Sequence, residues 1–215
     1  MLLHLGVAVT CTDGQSGELA DIIIDPDTRR VTHIVVAFPH HHDEARLVPV
    51  DLIISDDSSE QTIKLRCTAT DIQALAAVQE SAYVRMGEVP SLDGDADQVG
   101  IEDVVTVPTP QYGSFEMYPA GYDTHVVVTY DRVPKGDVEV RKDSDIWSAD
   151  GERIGHLDGV VVDDHATITQ LVLERGHLWG RHRITIPSRA IAKFSMDGVT
   201  LALSKTEAES LLPTR

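Results

Sequence analysis

GHLDGVVVDDHATITQLVLERGHLWGRHRITIPSRAI, residues 155–191, decides the fold, because it is written a second time at residues 17–53 as GELADIIIDPDTRRVTHIVVAFPHHHDEARLVPVDLI. Each copy runs from a glycine through an apolar strand, an acidic turn, a second apolar strand, a variable loop and a short strand ending in proline. Ile22-Ile23-Ile24-Asp25 matches Val160-Val161-Val162-Asp163, Thr32 matches Thr169, and Val48-Pro49 matches Ile186-Pro187. Four residues past each proline stands an isoleucine, Ile53 or Ile191. Outward of the copies the likeness continues. The turn dipeptides Asp13-Gly14 and Asp150-Gly151 precede them, and alternating segments follow, Ile63, Leu65 and Cys67 in one, Val199, Leu201 and Leu203 in the other. Each repeat closes on a short helical segment, Thr70-Asp71 to Ala77 and Thr206-Glu207 to Leu212, whose hydroxyl and early carboxylate suit an N-cap and first turn. A unit this short cannot bury a large core alone, so the repeat predicts two small domains or one paired unit.

Strand chemistry sets the fold class. Val7, Val9 and Cys11 alternate with Ala8 and Thr10, while Leu19 to Asp25 and Arg30 to Phe38 are nearly continuous in Ile and Val, joined by the hairpin residues Pro26-Asp27-Thr28. Five or six short strands and one closing helix per repeat predict a mainly β protein of two small β-barrels in tandem, residues 1–78 and 138–215. Residues 79–137 read as a long irregular connection, with Pro90, Pro108, Pro110, Pro119, Pro134 and the tract Asp93-Gly94-Asp95-Ala96-Asp97. Within it His125 to Tyr130 has strand character. Its aromatic residues, Tyr83, Tyr112, Phe115, Tyr118, Tyr122 and Tyr130, predict that it packs across the barrels, since disordered linkers are poor in aromatics.

From Val138 to Leu212 the Asp-Gly turn, Gly155, the apolar strand, the acidic turn, ITQLVLERGHLWGRHRITIP and the closing Ile191 resemble the PRC-barrel family. Residues 6–77 resemble it more loosely. The family takes its name from the cytoplasmic barrel of the photosynthetic reaction centre H subunit and recurs at the C-terminus of a bacterial ribosome maturation factor. Its signature is structural, so the resemblance implies the barrel fold and, as function, docking onto another macromolecule rather than catalysis.

Composition narrows the partners. A net charge of −17 argues against an extended nucleic-acid interface, since phosphates are repelled at long range. With no run of about 18 apolar residues and no export signal, the chain is expected in the cytoplasm without membrane insertion. Cys11 and Cys67 lack metal-ligand spacing and read as buried free thiols in a reducing compartment.

Three stretches carry possible chemistry. His40, His41 and His42, followed by Asp43 and Glu44, offer imidazoles and carboxylates for a transition metal, against the simpler reading of a solvated hairpin loop. Asp93 to Asp97 starts like a calcium loop, but Gln98 and Val104 stand where glycine and glutamate are needed, so no cofactor is expected. The absence of nucleotide, zinc-protease and hydrolase signatures predicts a protein that is not an enzyme. The candidate partner-binding patch is His177, Trp179, Arg181, His182 and Arg183, a cationic, aromatic loop in an acidic chain. Against it stands a structural reading in which Trp179 folds over the barrel and the arginines pair with the chain's own carboxylates. Trp147 reads as core. The leading functional expectation is a non-catalytic adaptor docking a protein partner. The alternatives are a ribosome-associated factor touching a ribosomal component, and a metal- or small-ligand-binding stress protein; a homodimer through exposed strand edges is also allowed.

Overall fold

The computed structural model describes residues 1–38, 41–54, 62–85, 100–101, 104–110, 125–142, 144–175, 182–195 and 197–210. Of these, the side chains of residues 41–44, 79–85, 100–101, 104–110, 125–132, 175, 182 and 209 are left undescribed.

The first repeat holds β1 (Leu2–His4), β2 (Ala8–Thr10), β3 (Ser16–Asp25), β4 (Arg30–Phe38), β5 (His41–Pro49), β6 (Ile53–Ile54), β7 (Thr62–Leu65) and helix α1 (Ala69–Gln73). The connection carries β8 (Gln79–Arg85), β9 (Gly100–Ile101), β10 (Val104–Pro110) and β11 (His125–Pro134). The second repeat holds β12 (Val138–Arg141), β13 (Asp145–Trp147), β14 (Arg153–Val162), β15 (Ile168–Arg175), β16 (His182–Pro187), β17 (Ile191–Ser195), β18 (Gly198–Leu201) and helix α2 (Lys205–Ser210). Element for element, the two repeats agree.

Their sheets agree as well. One runs β5-β4-β3-β2-β7-β6 and the other β16-β15-β14-β13-β18-β17, antiparallel throughout except for the parallel pairs β2·β7 and β13·β18. Six strands laid flat would put the end strands roughly 24 Å apart. In each repeat, however, the two end strands are consecutive in the chain, joined by one 3-10 turn, Val50–Leu52 or Ser188–Ala190. Four residue steps reach at most about 14 Å, so each sheet must curl strongly. Among the described residues no ladder joins β5 to β6 or β16 to β17, and their backbone hydrogen bonds close no ring.

Each repeat lends its first strand to the other. β1 pairs antiparallel with β14, Leu3 opposite Val160, and β12 pairs antiparallel with β3, Val140 opposite Ile22. The long strands β3 and β14 make room for this by bulging at equivalent places, between Leu19 and Asp21 and between Leu157 and Gly159. One half of the strand's edge takes a neighbour from its own repeat, the other half takes the exchanged strand. Leu3 and Leu5 are thereby fully buried, and one contiguous apolar cluster includes Ile22, Ile34 and Val48 of the first repeat with Val160, Leu171 and Ile186 of the second. The hairpin turns also meet at this seam: Val31 N donates to Ala166 O and Ile168 N to Arg29 O, each at 2.9 Å. Within the turns, Asp25 accepts from Asp27 N, Thr28 N and the Thr28 hydroxyl, and Asp163 from His165 N and Thr167 N. Those bonds favour the ionised carboxylates and lower both pKa values, led by the Thr28 hydroxyl at Asp25 and the Thr167 N–H at Asp163.

Two expectations need correction. The connection is not an irregular segment: β8-β11-β10-β9 form an antiparallel four-stranded sheet. His125 to Tyr130 belongs to its longest strand; Pro108 and Pro110 hid β10, because proline is tolerated on strands whose N–H groups are not all required by a ladder. The helices also start earlier than expected. Thr68 caps α1 by a reciprocal pair, Asp71 N to Thr68 Oγ1 at 3.2 Å and Thr68 N to Asp71 Oδ2 at 2.8 Å, and Ser204 with Glu207 does the same for α2. The hydroxyls at Thr70 and Thr206 lie inside the helices. No described helix is long and apolar enough to cross a membrane.

Candidate functional site

The repeats differ most on the outer face of their sheets. In the first repeat that face carries Ala20, Ile23, Val35, Ala45 and Leu47, and it packs against Val78 and Val133 at the two ends of the connection. Burial on both faces explains why β3 and β4 read as unbroken apolar runs. At the equivalent positions the second repeat has Asp158, Val161, Val172, Arg183 and Thr185. Asp158 sits at the β14 bulge, which turns its side chain to that face, where the carboxylate is 10% exposed. An arginine and a histidine from different elements approach it. Arg183 Nε of β16 lies 2.8 Å from Asp158 Oδ2, and His4 Nε2 of the exchanged strand β1 lies 3.0 Å from the same oxygen. Arg183 Nη2 also meets the His4 ring.

This cluster bears directly on the loop patch. Arg183 pairs with the chain's own carboxylate, yet its side chain stays 62% exposed. The contact is an ion pair by distance, without hydrogen-bond geometry at Asp158 Oδ2, and it leaves most of the guanidinium facing outward. His182 lies in β16, with its side chain outside the described residues; His177, Trp179 and Arg181 lie outside them altogether. His40 is likewise outside, and His41 and His42 fall in β5 without described side chains. Among the described residues no group of three or more His, Cys, Asp or Glu could hold a metal. Trp147 is half-buried in β13 rather than core; its neighbour Ile146 takes the fully buried position.

A second charged set lies on the same sheet, with Arg153 Nε 2.7 Å and His156 Nδ1 3.3 Å from Asp145 Oδ1. Elsewhere, Thr32 Oγ1 donates to Asp137 Oδ2 at 2.5 Å; burial raises the Asp137 pKa against that bond, and burial lowers that of His33. Cys11 and Cys67 are buried and free, and burial, then the Cys67 thiol and Asp13, push Cys11 up to about 11. Such a thiol is protonated and inert at neutral pH. In the His4 cluster the ring nitrogen that faces Asp158 also faces Arg183, so the imidazole is engaged in holding two neighbours. The arrangement places charge at the surface of the sheet.

The signal for Asp158 was available in the sequence as a carboxylate in the position of Ala20. It could not be interpreted there, because His4 is brought to it only by the exchanged strand. In comparisons with known proteins, no family model matches the chain and no curated protein matches it.

Proposed function

We propose that this chain is a non-catalytic interaction module of the PRC-barrel type, working in the cytoplasm as an adaptor that docks a protein partner on the outer face of its second repeat. The observation that carries the reading is the unequal treatment of two equivalent faces. One is apolar and covered by Val78 and Val133; among the described residues, those two cluster with first-repeat side chains alone. The other mixes two valines with Asp158, Thr185 and Arg183, the last paired with Asp158 beside His4. An arginine drawn to a nearly buried carboxylate while most of its side chain stays exposed is a candidate interface anchor. The shared core supports the same reading, since a platform built from interlocked repeats holds its surface loops in constant register.

The test is a cross-linked pull-down from native lysate, with the parent beside a Trp179→Ala/Arg183→Ala variant whose melting shows it folded. The reading expects a discrete partner with the parent that is lost with the variant. The same background from both would overturn it. Recovery of a ribosomal component, falling steeply with salt, would replace the adaptor reading by the ribosome-associated one.

A further inference from the structure

The turns that meet at the seam are equivalent in the repeat but unequal in side chain. Arg29 and Ala166 occupy matching positions with left-handed backbone, φ 57° and 60°, and each offers its carbonyl to the other hairpin. Arg29 sends its guanidinium across the seam, Nη1 donating to the Ser188 carbonyl at 2.7 Å and Nη2 to the Ile191 carbonyl at 3.0 Å. Ser188 begins the 3-10 turn between β16 and β17, and Ile191 caps it. The matching turn of the first repeat begins at Val50 and is capped by Ile53, with the same return bond from the cap N–H to the first carbonyl. There the opposing residue is Ala166, which supplies only a methyl group. A cavity of about 330 Å³ lies in that place, lined by Ala166, Val50, Asp51, Ile53 and Arg66. It is the seat that Arg29 fills in the other half of the molecule, left without an arginine.

Two substitutions change its charge. Asp51 stands where the filled seat has Arg189, and Arg66 where the filled seat has Ala202. Of the other charged groups on the wall, Arg30 Nε donates to the His165 carbonyl at 2.9 Å, the Met1 ammonium donates to the Val162 carbonyl at 2.8 Å and Asp163 accepts from its own turn, while Asp164 is an exposed carboxylate. Among the described residues none pairs with the Arg66 guanidinium. The vacant seat therefore keeps backbone carbonyls placed as for a guanidinium, adds a carboxylate beside them, and adds one cation. Its volume falls in the range of small-ligand sites.

We propose that this cavity binds a small zwitterion of the arginine class, its guanidinium on the Val50 and Ile53 carbonyls beside Asp51 and its carboxylate on Arg66. The site is distinct from the outer face of the second repeat, and the proposal stands independently of the adaptor reading.

Isothermal titration at low salt tests it with four probes. Free L-arginine binds. Citrulline, which replaces the guanidinium by a neutral urea, and agmatine, which lacks the carboxylate, each bind about tenfold more weakly or worse, as expected for one lost charge-assisted contact. An arginine within an acetylated, amidated peptide behaves like agmatine; equal binding of that peptide and free arginine would overturn the role given to Arg66. Ala166→Arg supplies the missing side chain, and it is expected to melt no lower than the parent and to bind no added arginine. Should that variant fold poorly, Asp51→Asn serves, with affinity reduced about tenfold. Absence of arginine binding to the parent up to about 10 mM, equal binding of arginine and citrulline, or undiminished binding by folded Ala166→Arg would each overturn the proposal.

Discussion

Replacing Gly159 by alanine should separate the repeats at one defined contact. Gly159 lies opposite His4 where β1 crosses β14, and a Cβ built there would stand 2.4 Å from the Leu3 carbonyl oxygen and 3.0 Å from His4 Cα. Both neighbours are backbone, so no side chain can rotate away. Ordinary contact begins at 3.4 Å, which requires β1 to retreat by about 1 Å. That stretches the Leu5 N to Asp158 O bond, now 2.9 Å, and the Val162 N to Met1 O bond, also 2.9 Å, out of hydrogen-bonding range. Each carries roughly 1 kcal/mol net. The same movement draws the fully buried Leu3 partly out of the shared core, adding about 1–2 kcal/mol from the 2–5 kcal/mol that complete truncation of a buried leucine costs. The sum is about 3 kcal/mol, or a fall in Tm of about 6–12 °C for a chain of this size. Calorimetry on the parent, Gly159→Ala, Leu3→Ala and the double variant checks both magnitude and cause. With β1 already loosened, Leu3→Ala should cost clearly less in the alanine background than in the parent. A Gly159→Ala protein melting within about 1 °C of the parent, or strict additivity with Leu3→Ala, would refute the reasoning.

Arg29→Ala removes two guanidinium bonds across the seam, and since Ala166 already holds the same backbone conformation, the loss of about 1–3 kcal/mol in urea denaturation should come from those bonds and not from strain. Arg29→Lys should not restore it, because one ammonium cannot reproduce the fork that spans both carbonyls. Adding Asp158→Ala to Arg183→Ala should raise the melting temperature of the single variant rather than lower it, since the first change leaves a nearly buried carboxylate with His4 alone and the second removes that carboxylate. Cys11 makes stability depend on alkaline pH. Its folded pKa is raised from 9.0 to about 11, so the unfolded chain releases the thiol proton first; the contribution is complete below pH 9 and is lost as pH rises from 9 to about 11. Cys11→Ser, which installs the residue that the second repeat carries at the equivalent place, Ser148, should flatten that decline in urea midpoints measured across this range.

How much of this was legible beforehand depended on distance along the chain. The repeat, the hairpins and the acidic turns are written in short windows, and their geometry follows from local chemistry: Asp25 and Asp163 bind the N–H groups of their own turns. The helix starts were misplaced by two residues because Thr68 and Thr70, like Ser204 and Thr206, are equally good hydroxyl caps by type. Only the position of the reciprocal carboxylate, Asp71 or Glu207, chooses between them. The four-stranded sheet of the connection escaped notice because its partners are remote in sequence, Val104 opposite Pro134 and Tyr83 opposite Val127.

The sequence by itself determined that two copies of one β unit follow each other, where each turns, and which side chains are apolar enough to form a core. It could not determine whose core they form. Met1 to His4 and Val138 to Arg141 each continue into their own repeat, yet both cross to the other one, and no local pattern distinguishes a strand that stays from a strand that crosses. Tertiary structure decided that exchange, because pairing depends on which open edge lies within reach once both sheets have curled. From it follow the meeting of His4 with Asp158, the docking of Arg29 on the Ser188 and Ile191 carbonyls, and the unfilled counterpart beside Ala166. Each joins residues more than a hundred positions apart, and composition carries no trace of such contacts; those of Arg29 end on backbone carbonyls, whose chemistry is the same for every residue type.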